Sequence, residues 1–417
     1  MPAARSLDEA LAAARPFLRG EEAQVDAALP ELAAVLRGAG AGECWHKHGT
    51  FLAHLLDVHR ILRLWGAPDA VLRCGLFHSA YSNSYVNLAI FQPDTRRAHV
   101  AAVVAPPPSA SSTSSAWSRA SSSSTSTSSS TTPTTKTSSP TSRGPRRRSR
   151  TRAEGSSTTT SPGAERSNAC CHQKASPSST SGQTGEDVAL SRRIAASFLL
   201  MTMADFSDQL FDWQDRLFDN HNGRLEFRGN TWTSLWPGSG KPGLWVSSIS
   251  RMAALYALIV REEEIYIAHR AHGSTTADRD EDIDLVIPPV FHGCTEVLSA
   301  QDQKVARDLY WEALCTGNDA SDWHRVEQLL QQSTAKNPFV GEPHLVLAQV
   351  YLNLERYGDA QVQAEEGLRL LLEWGSSWDK RMPWEAWVSW GRAMLTKAKD
   401  KAWPHTSFGI ISLGLVK

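Results

Sequence analysis

Three residues far apart in the chain have the chemistry to hold a metal ion together: His54, His78 and Asp205. His54 opens an H-x-x-x-V pattern in FLAHLLDVHRILRLW, His78 closes the apolar run LRCGLFHS, and Asp205 follows an alanine in LLMTMADFSDQL. A neutral imidazole offers a nitrogen lone pair and a carboxylate offers oxygen, and a mixed set of this kind suits a divalent metal. Such a metal turns bound water into a hydroxide able to attack phosphorus. Plainer uses exist for each residue. A histidine within a helical protein is commonly a hydrogen-bonded structural group, and Asp205 could serve as a hydrogen-bond acceptor between helices. His46, His48 and His59 share the stretch but rank lower, because neighbouring positions on a helix face different ways.

Other polar and aromatic groups cluster near these candidates. Ser79, Tyr81 and Asn83 follow His78 directly and could line a pocket or simply turn the chain. Trp232, Trp236 and Trp245 sit in a Gly/Pro-rich loop, where tryptophan stacks on a ligand or packs as a lid. The nearby GSGKPG lacks the Walker spacing and says nothing about phosphate.

The elements that must position these groups read as helices. Residues 6–38 carry two, Leu7–Leu18 and Glu22–Arg37, the second ended by Gly38, Gly40 and Gly42. From Gly49, the residues Phe51, Leu52, Leu55, Val58, Ile61, Leu62 and Trp65 keep a 3.6-residue period until Gly66 and Pro68 stop it. A second run spans Asp69 to His78. A long apolar-rich helix is expected from Gly185 through DFSDQLFDWQ, and another from about Ser247 to Val260.

From about Pro288 the pattern is helical again, and Gly341 to Gly367 carries tetratricopeptide spacing. Leu347, Ala348 and Tyr351 occupy the packing positions of a first helix, and Ala360, Ala364 and Gly367 the small positions of a second. Trp387, Trp390, Gly391 and Met394 repeat the first-helix spacing after an insertion.

Between the two halves of the bundle the composition breaks. Residues 106–184 are mostly Ser, Thr, Pro, Ala and Arg, too polar to bury a core. The tract reads as a disordered linker or as a displaced reading frame. Ser and Thr codons read one nucleotide earlier encode Leu, Val, Phe, Ile, His, Asp, Tyr or Asn, so such a tract can be the shadow of a helical sequence. The basic run GPRRRSRTR lies inside it and has no selected role if the frame is displaced.

Bulk properties exclude several classes. The 417 residues are 41% apolar, enough for buried cores. Forty-three basic against 44 acidic residues give a net charge of -1, with no global pull toward nucleic acid or anionic membrane. Six scattered cysteines form no CxxC pair and read as reduced thiols. Acids at Asp8, Glu9, Glu21 and Glu22 argue against a transit peptide, and no apolar run is long enough to span a bilayer.

The set His54, His78 and Asp205 resembles the HD-domain superfamily of metal-dependent phosphohydrolases, with a departure at Ser79, where that pattern has the Asp of a His-Asp pair. The stretches HGTFLAHL and GLFHSAYSNSY, the MADFSDQL helix and the repeat-like tail are also similar to an uncharacterised plant family that couples an HD-like domain of unknown function to a tetratricopeptide-like tail. The resemblance implies an all-α fold. Residues 1–105 and 185–285 are the halves of an HD-like bundle, 106–184 is the low-complexity insert, and 286–417 is a helical array. The expected function is a degenerate HD-like domain with a protein-binding tail, in the cytoplasm, with no nucleic-acid or membrane partner. The alternative is a phosphohydrolase acting on a nucleotide or other phosphate ester. A divalent metal ion is the expected cofactor.

Overall fold

The computed structural model describes residues 5–46, 49–79, 178–180, 187–189, 191–209, 218–219, 226–227, 258–268, 285, 300–316 and 322–404. Helices dominate these residues, with three two-stranded antiparallel ribbons beside them. The sequence tract 106–184 lies outside them apart from Ser178–Thr180, which pairs with Asp187–Ala189.

Helix α1 (Leu7–Leu18) starts on a reciprocal cap: Glu9 N–H donates to Ser6 Oγ at 3.3 Å and Ser6 N–H donates to Glu9 Oε2 at 2.8 Å. The expected helix over Glu22–Arg37 is instead two, α2 (Glu22–Val25) and α3 (Leu29–Gly38). Asp26 causes the break. Its backbone is extended, and its side chain accepts from Ala28 N–H at 2.9 Å, an alternative that competes with the helical ladder.

Strands β1 (Trp45–His46) and β2 (Gly49–Thr50) lead into α4 (Phe51–Trp65). Thr50 Oγ1 caps α4 by accepting from Ala53 N–H at 3.1 Å, and Gly66 ends it at φ 84°. Helix α5 (Asp69–Leu76) stops two residues before His78, so that histidine sits on the turn beyond it. Gly75 lets α5 approach α4, since a Cβ there would lie 2.3 Å from Leu62 Cδ1.

The ribbon strands β3 (Ser178–Thr180) and β4 (Asp187–Ala189) precede α6 (Arg192–Gln209). The long helix thus begins near Arg192, later than Gly185, with Ser191 Oγ accepting from Ile194 N–H at 3.2 Å. A short ribbon, β5 (Phe218–Asp219) and β6 (Glu226–Phe227), follows. Residues 258–268 form α7, which runs past the expected end at Val260; the start expected at Ser247 lies outside the described residues.

The C-terminal array contains α8 (Ala300–Thr316), α9 (Trp323–Lys336), α10 (Gly341–Asn353), α11 (Tyr357–Trp374) and α12 (Trp384–Asp400). Short connections fold successive helices back on one another. Helices α10 and α11 cross at Gly341 and Gly367, where a Cβ on Gly341 would lie 2.5 Å from Gly367 O. Gly391 of α12 meets Leu368 and Leu345 in the same way.

Three apolar cores hold the described residues together. One joins Val25, Leu29, Leu32, Leu36, Phe51 and Leu55 around the N-terminal helices. A second joins the array, and α1 packs into it through Ala14. The third joins Val58, Ile61 and Leu62 of α4 to Leu200 and Met203 of α6, and also to Val340, Leu370 and Trp374 of the array. The tail is therefore packed against the bundle. No helix among the described residues is long and apolar enough to cross a membrane.

Candidate metal centre

His54 lies on the buried face of α4 and is 2% exposed. Its Nδ1 is 2.7 Å from Asp208 Oδ2, and its Nε2 is 3.1 Å from Asp205 Oδ1. Asp205 and Asp208 are three positions apart on α6, a spacing that puts both carboxylates on one helical face. His78 donates its Nδ1–H to Gly75 O at 2.7 Å. That bond turns Nε2 toward the other two groups, 3.5 Å from Asp205 Oδ1 and 3.4 Å from His54 Nε2. The two rings meet edge to face, with centroids 5.2 Å apart.

The three atoms His54 Nε2, His78 Nε2 and Asp205 Oδ1 form a near-equilateral triangle with sides of 3.1, 3.4 and 3.5 Å. Atoms so spaced can all lie about 2.1 Å from one point, the length of a zinc–nitrogen or zinc–oxygen bond. His54, His78 and Asp205 form the one potential metal-holding group among the described residues.

The electrostatics favour positive charge at this point. Burial works against a charged His54, but its hydrogen bonds to Asp205 and Asp208, with their charges, outweigh burial and push its pKa up to about 9. Burial would raise Asp205, yet the His78 charge and the hydrogen bonds from His54 and His78 hold it well below the usual carboxylate range. Either a proton or a metal cation answers the two carboxylates.

Around this centre runs a second layer of charge, from buried Arg60 to half-buried Asp57. Asp57, one turn along α4 from His54, accepts from Arg60 Nη1 at 2.6 Å. Burial pushes its carboxyl up to about 7 against the pull of Arg60. Arg60 also pairs with Glu385, donates to Gly375 O at 3.3 Å and lies 4.7 Å from the centroid of the Trp384 ring. Lys380 Nζ lies 3.7 Å from Asp208 Oδ1.

Ser79 is fully buried and its Oγ has no hydrogen-bond partner among the described residues. Tyr81, Asn83, Trp232, Trp236 and Trp245 lie outside the described residues, as do His48 and the side chain of His46. His59 is buried and outside the triangle; neither ring nitrogen is hydrogen-bonded among the described residues, and burial lowers its pKa to about 4, so it is neutral. Leu347, Ala348, Tyr351, Ala360 and Ala364 meet in the core of the array, with Gly367 at the α10–α11 crossing.

Sequence reasoning passed over Asp208 and Lys380. Asp208 carried a legible signal: a ligating histidine needs an acceptor for its other ring nitrogen, and Asp208 is one helical turn from Asp205. Lys380 carried none, being separated from α6 by most of the array.

Residues 35–108 match a family described as a domain of unknown function (DUF6817). The matched stretch contains α4, α5, His54, His78 and Ser79, and stops short of Asp205. Its end falls where the composition turns to Ser and Thr. No curated protein and no solved structure matches the chain.

Proposed function

We propose that this is a metal-binding helical protein: a degenerate HD-like bundle that holds a divalent cation at His54, His78 and Asp205, joined to a tetratricopeptide-like tail that carries protein partners. The triangle of three lone-pair atoms, with each histidine's Nδ1 committed to an acceptor, carries this reading. Both rings are oriented so that Nε2 faces the shared point, where a metal cation would take the place of a proton. Ser79 makes the site a weaker version of its HD counterpart, since a neutral hydroxyl replaces a charged ligand. Paired helices closed through Gly341, Gly367 and Ala360 support the repeat-like reading of the tail.

A second reading is hydrolysis of a phosphate ester. It is favoured by the number of protein ligands, since three leave coordination positions for water and substrate. The side chains of His78 and Asp205 are 17% and 26% exposed, so the centre reaches the surface. When bound, the metal would supply an activated water; His54 and His78 would hold it and Asp208 would fix the His54 ring.

Calorimetric titration of metal-free protein with zinc and manganese tests the first reading. Wild type is expected to bind one cation, and Asp205→Asn to lose most of that affinity. Equal binding by both proteins would reject the site. Metal-dependent turnover of phosphate esters, lost in His54→Ala, would establish the second reading; binding without turnover would restrict the protein to the first.

A further inference from the structure

The loop between α11 and α12 reaches back to the metal centre. Lys380 on this loop turns its side chain inward, 5% exposed, and its Nζ lies 3.7 Å from Asp208 Oδ1. The other oxygen of the same carboxylate accepts from His54 Nδ1 at 2.7 Å. Lys380 Nζ also donates to Ser376 Oγ at 2.9 Å, and Ser376 Oγ donates to Ser207 O at 3.0 Å. Two residues of the array thus grip the turn of α6 that carries the metal-centre carboxylates. One grips the backbone beside Asp208 and the other its side chain.

We propose that Lys380 is a positioning residue for the metal centre, acting through Asp208 on the ring of His54, so that the C-terminal array sets how well the N-terminal pocket binds metal. The inference rests on the metal-binding reading for its consequence, though not for its geometry. A carboxylate with two rotatable bonds orients an imidazole only if its other oxygen is also held. Here Oδ2 takes the imidazole N–H, and Oδ1 lies 3.7 Å from the ammonium, an ion-pair distance beyond hydrogen-bond range, so the ammonium holds the carboxylate by charge from the side opposite His54. Ser376 fixes the ammonium in turn. An outer partner of this kind typically changes metal affinity 10–100-fold when removed.

The test uses the full chain with two readouts, zinc affinity and the 15N-resolved Nδ1–H signal of His54 in metal-free protein. In Lys380→Met, zinc affinity should fall about 10–100-fold and the His54 signal should shift or exchange away. Lys380→Arg should restore both, because it returns a cation to Asp208. Ser376→Ala, a small deletion that any destabilised Lys380→Met cannot confound, should move both readouts in the same direction by less. Unchanged zinc affinity and an unchanged His54 signal in Lys380→Met and Ser376→Ala would overturn the proposal. A wild type that binds no zinc, while Lys380→Met still displaces the His54 signal, would uphold the positioning role and remove the metal-binding reading.

Discussion

The indole N–H of Trp65, at the end of α4, donates to the carbonyl of Glu373 on α11 at 2.9 Å across 308 positions of sequence. Three side chains beside it repeat the connection: Arg60 pairs with Glu385 and reaches Gly375 O, and Val58 and Leu62 share a core with Leu370 and Trp374. Bundle and tail therefore support each other. A tail with its own separate core would have left the bundle indifferent to it.

Arg60→Met is expected to destabilise the whole chain by about 1.5–3 kcal/mol, since it removes the buried guanidinium's charged hydrogen bonds to half-buried Asp57 and to Glu385 across the junction. Denaturant unfolding followed by a probe placed on α11 and by a second placed on α4 should give coincident transitions. Two separated transitions would show that the junction contributes little.

Gly341→Ala should cost about 1–3 kcal/mol or more, because its methyl would meet the Gly367 carbonyl at 2.5 Å, and backbone cannot move aside as a side chain can. Ala360→Trp should damage the same helix pair, and through Leu370 and Trp374 should also loosen α4. Hydrogen exchange would read this directly: faster exchange confined to α10–α12 would contradict the shared core.

Glu342 gives the array a defined pH response. Burial, then the charge of Asp379, pushes its carboxyl up to about 7 from 4.5, although Oε1 accepts from Trp378 N–H at 2.6 Å and Asp379 N–H at 3.1 Å. A folded pKa above the unfolded value favours folding at low pH. This contribution is complete below about 4.5 and lost as pH rises through about 7. Glu342→Gln keeps the accepting oxygen and removes the charge. It should flatten stability between these pH values and gain on the order of 1–3 kcal/mol at pH 8. A variant less stable than wild type at pH 8 would contradict this.

Ser79→Asp should raise metal affinity by adding a charged oxygen beside His78. The same change should lower the stability of the metal-free protein, since Ser79 is fully buried and a lone carboxylate there is costly. Calorimetry showing no gain in affinity would place position 79 outside the ligand shell.

Local signals made much of the fold legible. The Ser6–Glu9 cap, the period from Phe51 to Trp65 and the stop at Gly66 each depend on residues within a few positions, and α1 and α4 follow them. Asp26 shows the limit, since the helical period runs through it while its side chain offers the backbone another partner. His54, His78 and Asp205 were legible as residue types suited to a metal. Arg60 with Glu385 and Lys380 with Asp208 were not, because a contact between distant segments leaves no mark on local periodicity. The Ser/Thr tract is a question for nucleic acid sequence: transcript reads across 106–184 that shift frame at both ends would identify it as a displaced frame, and an intact frame would identify a true insert.

The most direct measurement of the central claim is anomalous X-ray scattering from crystals grown with zinc, collected on both sides of the zinc absorption edge. One strong peak is expected within bonding distance of His54 Nε2, His78 Nε2 and Asp205 Oδ1, absent in Asp205→Asn. Crystals soaked to saturation with no peak between these three atoms, or with zinc only at surface residues, would contradict it.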